Sequence, residues 1–102
     1  MGDVRDDQVL VGKHTRREFR QRMDGGELKA CIIPVAATEQ HLEHLSMEHD
    51  WRSCMHVSLE VAKRLHPGVL VAPSMNIGIS EHHMRHRGTL SAMPGSWLAV
   101  LF

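Results

Sequence analysis

The sequence has no surplus of charge of either sign: twelve lysines and arginines stand against twelve aspartates and glutamates in 102 residues. A balanced chain has no strong field with which to steer nucleic acid or an anionic membrane, so neither is expected as a partner. Nor is there any run approaching the roughly 20 apolar residues that span a bilayer. Residues 1–8, MGDVRDDQ, are polar and acidic and lack the apolar stretch of a secretory signal, so a cytoplasmic location is expected. Cysteine is scarce. Cys31 and Cys54 are too few for a disulfide framework, and both sit in apolar runs, where a buried thiol is expected. Internal repeats and low-complexity segments are absent.

What is present is an ordinary globular composition, 42% apolar, which argues against disorder. A chain of this length makes one small domain that buries roughly two-thirds of its unfolded surface. It is too short for two. Residues 1–14 show no periodicity and are expected to fray. Thr15 and Glu18 have the spacing of a capping box, opening a short helix to about Met23 that Gly25 and Gly26 end. Ala30–Val35 is continuously apolar, as in a strand buried on both faces, with pairing that loosens at Pro34 because proline has no N–H to donate.

A loop follows to His49, and Asp50 is a good N-cap. Trp51, Cys54, Met55, Ser58, Val61, Ala62 and Leu65 then form the stripe of an amphipathic helix, which Pro67 ends. Val69–Pro73 reads as a second buried strand. Strand, helix, strand implies a right-handed parallel crossover and hence an α/β fold with a mostly parallel sheet. Residues 74–93 make a long loop rich in Gly, Ser and His, a length that signals function or disorder. Pro94 suits the first turn of an apolar helix that the chain leaves unfinished, as a cut through a longer protein would.

Histidine is the unusual component. There are nine, and all but His14 fall from His41 to His86. Histidine is the commonest metal ligand. In parallel α/β sheets, sites form at the carboxyl ends of strands, where both long loops begin. Glu39 and His41 alternate by two, so an extended backbone would aim both the same way, and Asp50 returns at the helix start. Two carboxylates and an imidazole suit zinc, manganese or iron. Taken alone, the same residues are equally read as a capping Asp50, a solvated Glu39 and a surface His41.

Two ordered blocks carry a resemblance. Ile33-Pro34-Val35-Ala36-Ala37-Thr38-Glu39-Gln40-His41, then His44-Leu45 and Asp50, resemble the opening of the creatininase family: an Ile-Pro-Val strand, a Gly-Ser-Thr-like turn, Glu-Gln-His, His-Leu-Pro and an Asp. Gly78-Ile79-Ser80, His83-Met84 and Gly88-Thr89-Leu90-Ser91 resemble its Gly-x-Ser-x-Glu-His-Met-x-Phe-Pro-Gly-Thr-x-Ser segment. The resemblance runs from Ala30 to Phe102. It implies residues 1–28 as an N-terminal extension with a short helix, and residues 29–102 as the first part of a three-layer α/β/α, creatininase-like domain.

It further implies two divalent ions, zinc or manganese, with Glu39 on one, His41 on the other and Asp50 bridging them. His83 would lie at the pocket as a catalytic candidate, with His82 and His86 as neighbours or substrate contacts and His44 stiffening the loop. The implied reaction is hydrolysis of a non-peptide C–N bond, in a cyclic or linear small-molecule amide, by a metal-activated water, in a homo-oligomer. The family's later Asn-Gly-His stretch and further carboxylate have no counterpart here, so this chain is expected to lack a complete active site. Departures line the pocket mouth: Leu42 replaces the usual Gly, Glu43 a Pro, Met47-Glu48-His49 a Leu-Gly-Thr, His82 a Glu and His86-Arg87 a Phe-Pro. Creatinine as substrate is therefore in question, with a formamide as rival. The other rival is a truncated or non-catalytic metal-binding chain that needs a partner or its missing half.

Overall fold

A computed structural model describes residues 3–102. Its elements run α1 (Asp6–Val9), a 3₁₀ turn (Val11–Lys13), α2 (Arg16–Asp24), β1 (Ala30–Ile32), α3 (His49–Arg64), β2 (Val69–Val71), a second 3₁₀ turn (Glu81–His83) and α4 (Pro94–Leu101). The chain is α/β, with a parallel two-stranded sheet in which Ala30 pairs with Val69, Cys31 with Leu70 and Ile32 with Val71. Two compact units share the polypeptide, residues 1–34 with 55–73 and residues 35–54 with 74–102.

The first unit holds the core: Val9, Ala62, Val69 and Val71 are buried, and Val4, Leu10, Ile32, Met55 and Leu59 pack on them. All three residues of β2 are buried, as the apolar run requires. The N-terminal segment, expected to fray, instead supplies Val9 at 0% exposure and bridges Leu10 to Val71. Polar ties hold it there. Lys63 pairs with Asp6, and the Arg22 guanidinium donates to the carbonyls of Gln8 and Pro67. His14 is half-buried. Its Nδ1–H donates to the Leu10 carbonyl, leaving Nε2 to accept from Arg22. Helix α2 opens on the capping box read from the sequence, with Thr15 and Glu18 satisfying each other's backbone N–H.

Strand β1 is shorter and more open than the apolar run suggested. Ala30 and Cys31 are exposed and Ile32 is half-buried. Among the described residues the strand pairs with β2 alone, and Ala30 and Cys31 line an open apolar groove of about 430 Å³ with Phe19, Met23 and Leu28. The expectation of a buried Cys31 thiol fails for that reason.

In the second unit, parallel pairing resumes beyond Pro34 as a bridge between Val35 and Met75, followed by the Ala36 N–H on the Met75 carbonyl at 2.9 Å. The proline interrupts the ladder where the missing donor predicts. Two further bonds stitch the segment after Val35 to the long loop, and two more close that loop on itself. The Thr38 hydroxyl donates to the Asn76 carbonyl, Leu90 N–H to the Thr38 carbonyl, Ala92 N–H to the Gly78 carbonyl, and Ser80 N–H to the Ser91 hydroxyl. The two sequence blocks named above are thus adjacent in space. Pro94 occupies the first turn of α4, and much of that helix is exposed, with Val100 at 75%. No helix among the described residues is long and apolar enough to cross a membrane.

Candidate functional site

All the expected site residues lie in the second unit. The segment that carries Glu39, Gln40 and His41 is irregular and is held by its backbone. The Gln40 N–H donates to the buried Thr89 hydroxyl at 3.0 Å, and Thr89 is only 6% exposed. Gly88 makes the turn before it with φ +95°, a conformation that only glycine adopts without strain.

His41 is fixed at both ring nitrogens. Its Nδ1–H donates to the backbone carbonyl of Glu39 at 3.1 Å, and Nε2 stands 3.1 Å from Oδ1 of Asp50. Asp50 was expected as the N-cap of α3 but lies inside its first turn. There a carboxylate is still favoured by the helix dipole, and its oxygen is turned to His41. A carbonyl can only accept, so the neutral His41 ring keeps its proton on Nδ1 and aims a bare lone pair at a carboxylate oxygen. Two acceptors at that distance repel unless a proton or a cation lies between them. In the free chain a second proton on His41 would relieve that repulsion, and the pKa moves accordingly. The Glu39 carbonyl first, against an opposing push from burial, then the charge and hydrogen bond of Asp50 and the charge of Glu39, raise the His41 pKa above its ordinary value.

Glu39 keeps different company. Its carboxylate and one ring nitrogen each of His82 and His83 all lie within 4.8 Å of one another. The rings of His82 and His83 are tilted, with centroids 4.1 Å apart. Glu39, His41 and Asp50 therefore form two adjoining groups, an imidazole–carboxylate pair and a carboxylate beside two imidazoles. The donor chemistry, oxygen and nitrogen together, fits a borderline divalent cation, and the opposed lone pairs of His41 and Asp50 fit one placed on their side.

Sequence reading passed over Gln40, whose side chain joins the Leu42 N–H to His83. Its place inside Glu-Gln-His was the available signal. It also passed over the Thr89 hydroxyl, which accepts from the Gln40 N–H. His49 is exposed but lies against His41, ring centroids 5.3 Å apart.

The creatininase family profile, described as creatinine amidohydrolase, matches residues 13–102. A mycofactocin precursor peptide peptidase of Mycobacterium ulcerans (strain Agy99) is 39% identical over 69 residues, 61% of this chain and 28% of that protein. A creatinine amidohydrolase of Pseudomonas putida is 36% identical over 70 residues, 69% of this chain and 26% of that protein. A crystal structure of creatinine amidohydrolase superposes with a TM-score of 0.82 at 30% identity, covering 91% of this chain and 37% of that one. Solved relatives with TM-scores of 0.80 and 0.81 include a mutant creatininase of Zn-Zn type and a manganese creatininase. The chain thus spans little more than a quarter of the length of the curated relatives it matches.

Proposed function

The chain belongs to the creatininase family, and on that premise we propose that residues 29–102 form the first part of a metal-dependent amidohydrolase domain in which Glu39, His41 and Asp50 grip two divalent cations, zinc or manganese. One observation carries this reading: the bare Nε2 of His41 facing Oδ1 of Asp50 at 3.1 Å, an arrangement of two acceptors that a proton relieves in the free chain and that a cation would relieve in the metal-bound one. Zn-Zn and manganese forms among the solved relatives support the choice of metals. When bound, the pair lowers the pKa of a water towards neutrality and polarises an amide carbonyl.

The residues of this chain supply the rest. The Glu39 carbonyl orients His41 and keeps its Nε2 free for ligation, as second partners of metal-binding histidines do. Asp50 would hold the cations with its carboxylate, on the same side as His41. His83 lies on the Glu39 side, where it would meet substrate. The substrate class is an amide C–N bond, cyclic or linear. The relatives named above are a creatinine amidohydrolase and a precursor peptide peptidase.

The experiment is zinc titration of the chain by calorimetry, paired with hydrolysis assays on creatinine, a formamide and a short peptide. Zinc binding that His41→Ala and Asp50→Asn each abolish is expected, and unchanged binding in both would overturn the ligand set. Binding without turnover of any of the three favours a second reading, a metal-binding chain completed by a partner, a further copy or a longer polypeptide. The exposed apolar surface of α4, Leu98 at 47% and Val100 at 75%, supports that second reading, because such a face is ordinarily covered.

A further inference from the structure

The side-chain amide of Gln40 is held at both ends. The backbone N–H of Leu42 donates to Oε1 at 3.0 Å, and Nε2 lies 3.1 Å from Nδ1 of His83. A backbone N–H can only donate, so the Gln40 oxygen must face Leu42. A flipped amide would oppose two donors there. The Gln40 nitrogen therefore faces His83, where it can only donate, and Nδ1 of His83 must accept. A neutral imidazole that accepts at Nδ1 carries its proton on Nε2. The geometry points to Gln40 as a positioning residue that holds His83 in the Nε2–H form.

The consequence is opposite assignments for the two histidines beside the Glu-Gln-His segment. His41, donating at Nδ1 to the Glu39 carbonyl, has a free Nε2 suited to a metal. His83, accepting at Nδ1, has an Nε2–H and no free lone pair. This excludes His83 as a ligand in the group it forms with Glu39 and His82. It equally excludes His83 as a base. A neutral ring that gave up the Nε2 proton would be left as an anion, so His83 is no proton donor either. Resting on the amidohydrolase reading above, His83 is then a fixed hydrogen-bond donor to the amide carbonyl oxygen, stabilising the charge that develops there. No bond to His83 forms or breaks.

The test is a long-range ¹H–¹⁵N correlation spectrum of the imidazoles in the ¹⁵N-labelled chain at about pH 8, where histidine is ordinarily neutral. For the unsubstituted chain, the pattern of an Nε2–H ring is expected for His83 and that of an Nδ1–H ring for His41. An Nδ1–H or averaged pattern at His83 overturns the inference, without need of any variant. In Gln40→Glu the carboxylate can only accept, so His83 must turn to Nδ1–H. A folded Gln40→Glu chain, judged by the unchanged His41 pattern, that leaves His83 in the Nε2–H form also overturns it. Adding zinc is expected to shift His41 Nε2 and leave the Nε2–H pattern of His83 intact. Loss of that pattern on zinc addition would make His83 a ligand and sink the assignment. If zinc shifts neither ring, the metal reading fails, while the spectrum of the free chain still decides the role of Gln40.

Discussion

Nε2 of His41 and Oδ1 of Asp50 stand 3.1 Å apart while the other nitrogen of the ring is committed to the Glu39 carbonyl. In the metal-free chain this contact is an ion pair whenever His41 carries its second proton. Its folded-state pKa is raised above the ordinary 6.5, by the Glu39 carbonyl first and by Asp50 after the opposing effect of burial. A group whose pKa rises on folding adds stability that is fully present below the unfolded pKa and is lost as pH climbs through the folded one. The thermal midpoint in chelator should therefore fall as pH rises above 6.5, and the difference between the chain and His41→Gln should shrink over the same interval. Asp50→Asn should flatten the profile only in part, because the largest cause of the shift is a backbone carbonyl. A difference that grows with pH would refute this account.

Metal binding should invert that trend. A cation on Nε2 of His41 replaces the proton, so zinc affinity should rise with pH across the window in which the free chain loses its ion pair. Removing an orienting partner of a metal ligand costs roughly 10–100-fold in affinity. Asp50→Asn removes a ligand outright and should cost at least as much by calorimetry. Equal affinity at pH values on both sides of 6.5 would show that His41 is not the ligand.

Leu42 is the one non-glycine residue with positive φ among those described, at +62°, and its N–H is the donor that orients Gln40. The family pattern that the sequence resembles has glycine here. A left-handed conformation costs a residue with a Cβ roughly 1–2 kcal/mol, and glycine gives back roughly 0.5–1 kcal/mol in unfolded-chain entropy. Leu42→Gly should raise the stability measured in urea by up to about 1 kcal/mol, with no change in the His83 imidazole spectrum. Leu42 is also 75% exposed, so little packing is lost. A clear loss of stability would mean that its side chain has a partner outside the described contacts.

The sequence was most legible where one residue type leaves one choice. The capping box at Thr15, the break at Pro34, the glycine turn at Gly88 and the buried run Val69–Val71 all follow from local chemistry. The parallel pairing followed from element order. What escaped were contacts made by residues distant in sequence. Gln40 meets His83 across 43 positions, and nothing in Glu-Gln-His says which ring the amide will face. The two histidines at 82 and 83 converge on Glu39 only because backbone bonds such as that from Leu90 to Thr38 bring the second block beside the first. Cys31 was misread because an apolar run says how much surface a strand can bury, not whether a neighbour covers it.

Val9 tests the same lesson in energy. The first 14 residues carry no periodic pattern, yet Val9 is 0% exposed and clusters with Ala62, Val69 and Val71. Its four-residue helix is too short to persist alone, so its order must come from this burial and from the polar ties of Asp6 and Gln8. Val9→Ala removes two buried methylene equivalents at roughly 0.8 kcal/mol each and leaves a small cavity, for a loss of about 2 kcal/mol in urea unfolding. Val4, half-buried at the edge of the same cluster, should cost less than half as much when cut to Ala. If both substitutions are silent, the segment frays in solution as its sequence suggests. If Val9→Ala alone is costly, residues that look like a disordered leader are part of the core on which β1 and β2 are paired.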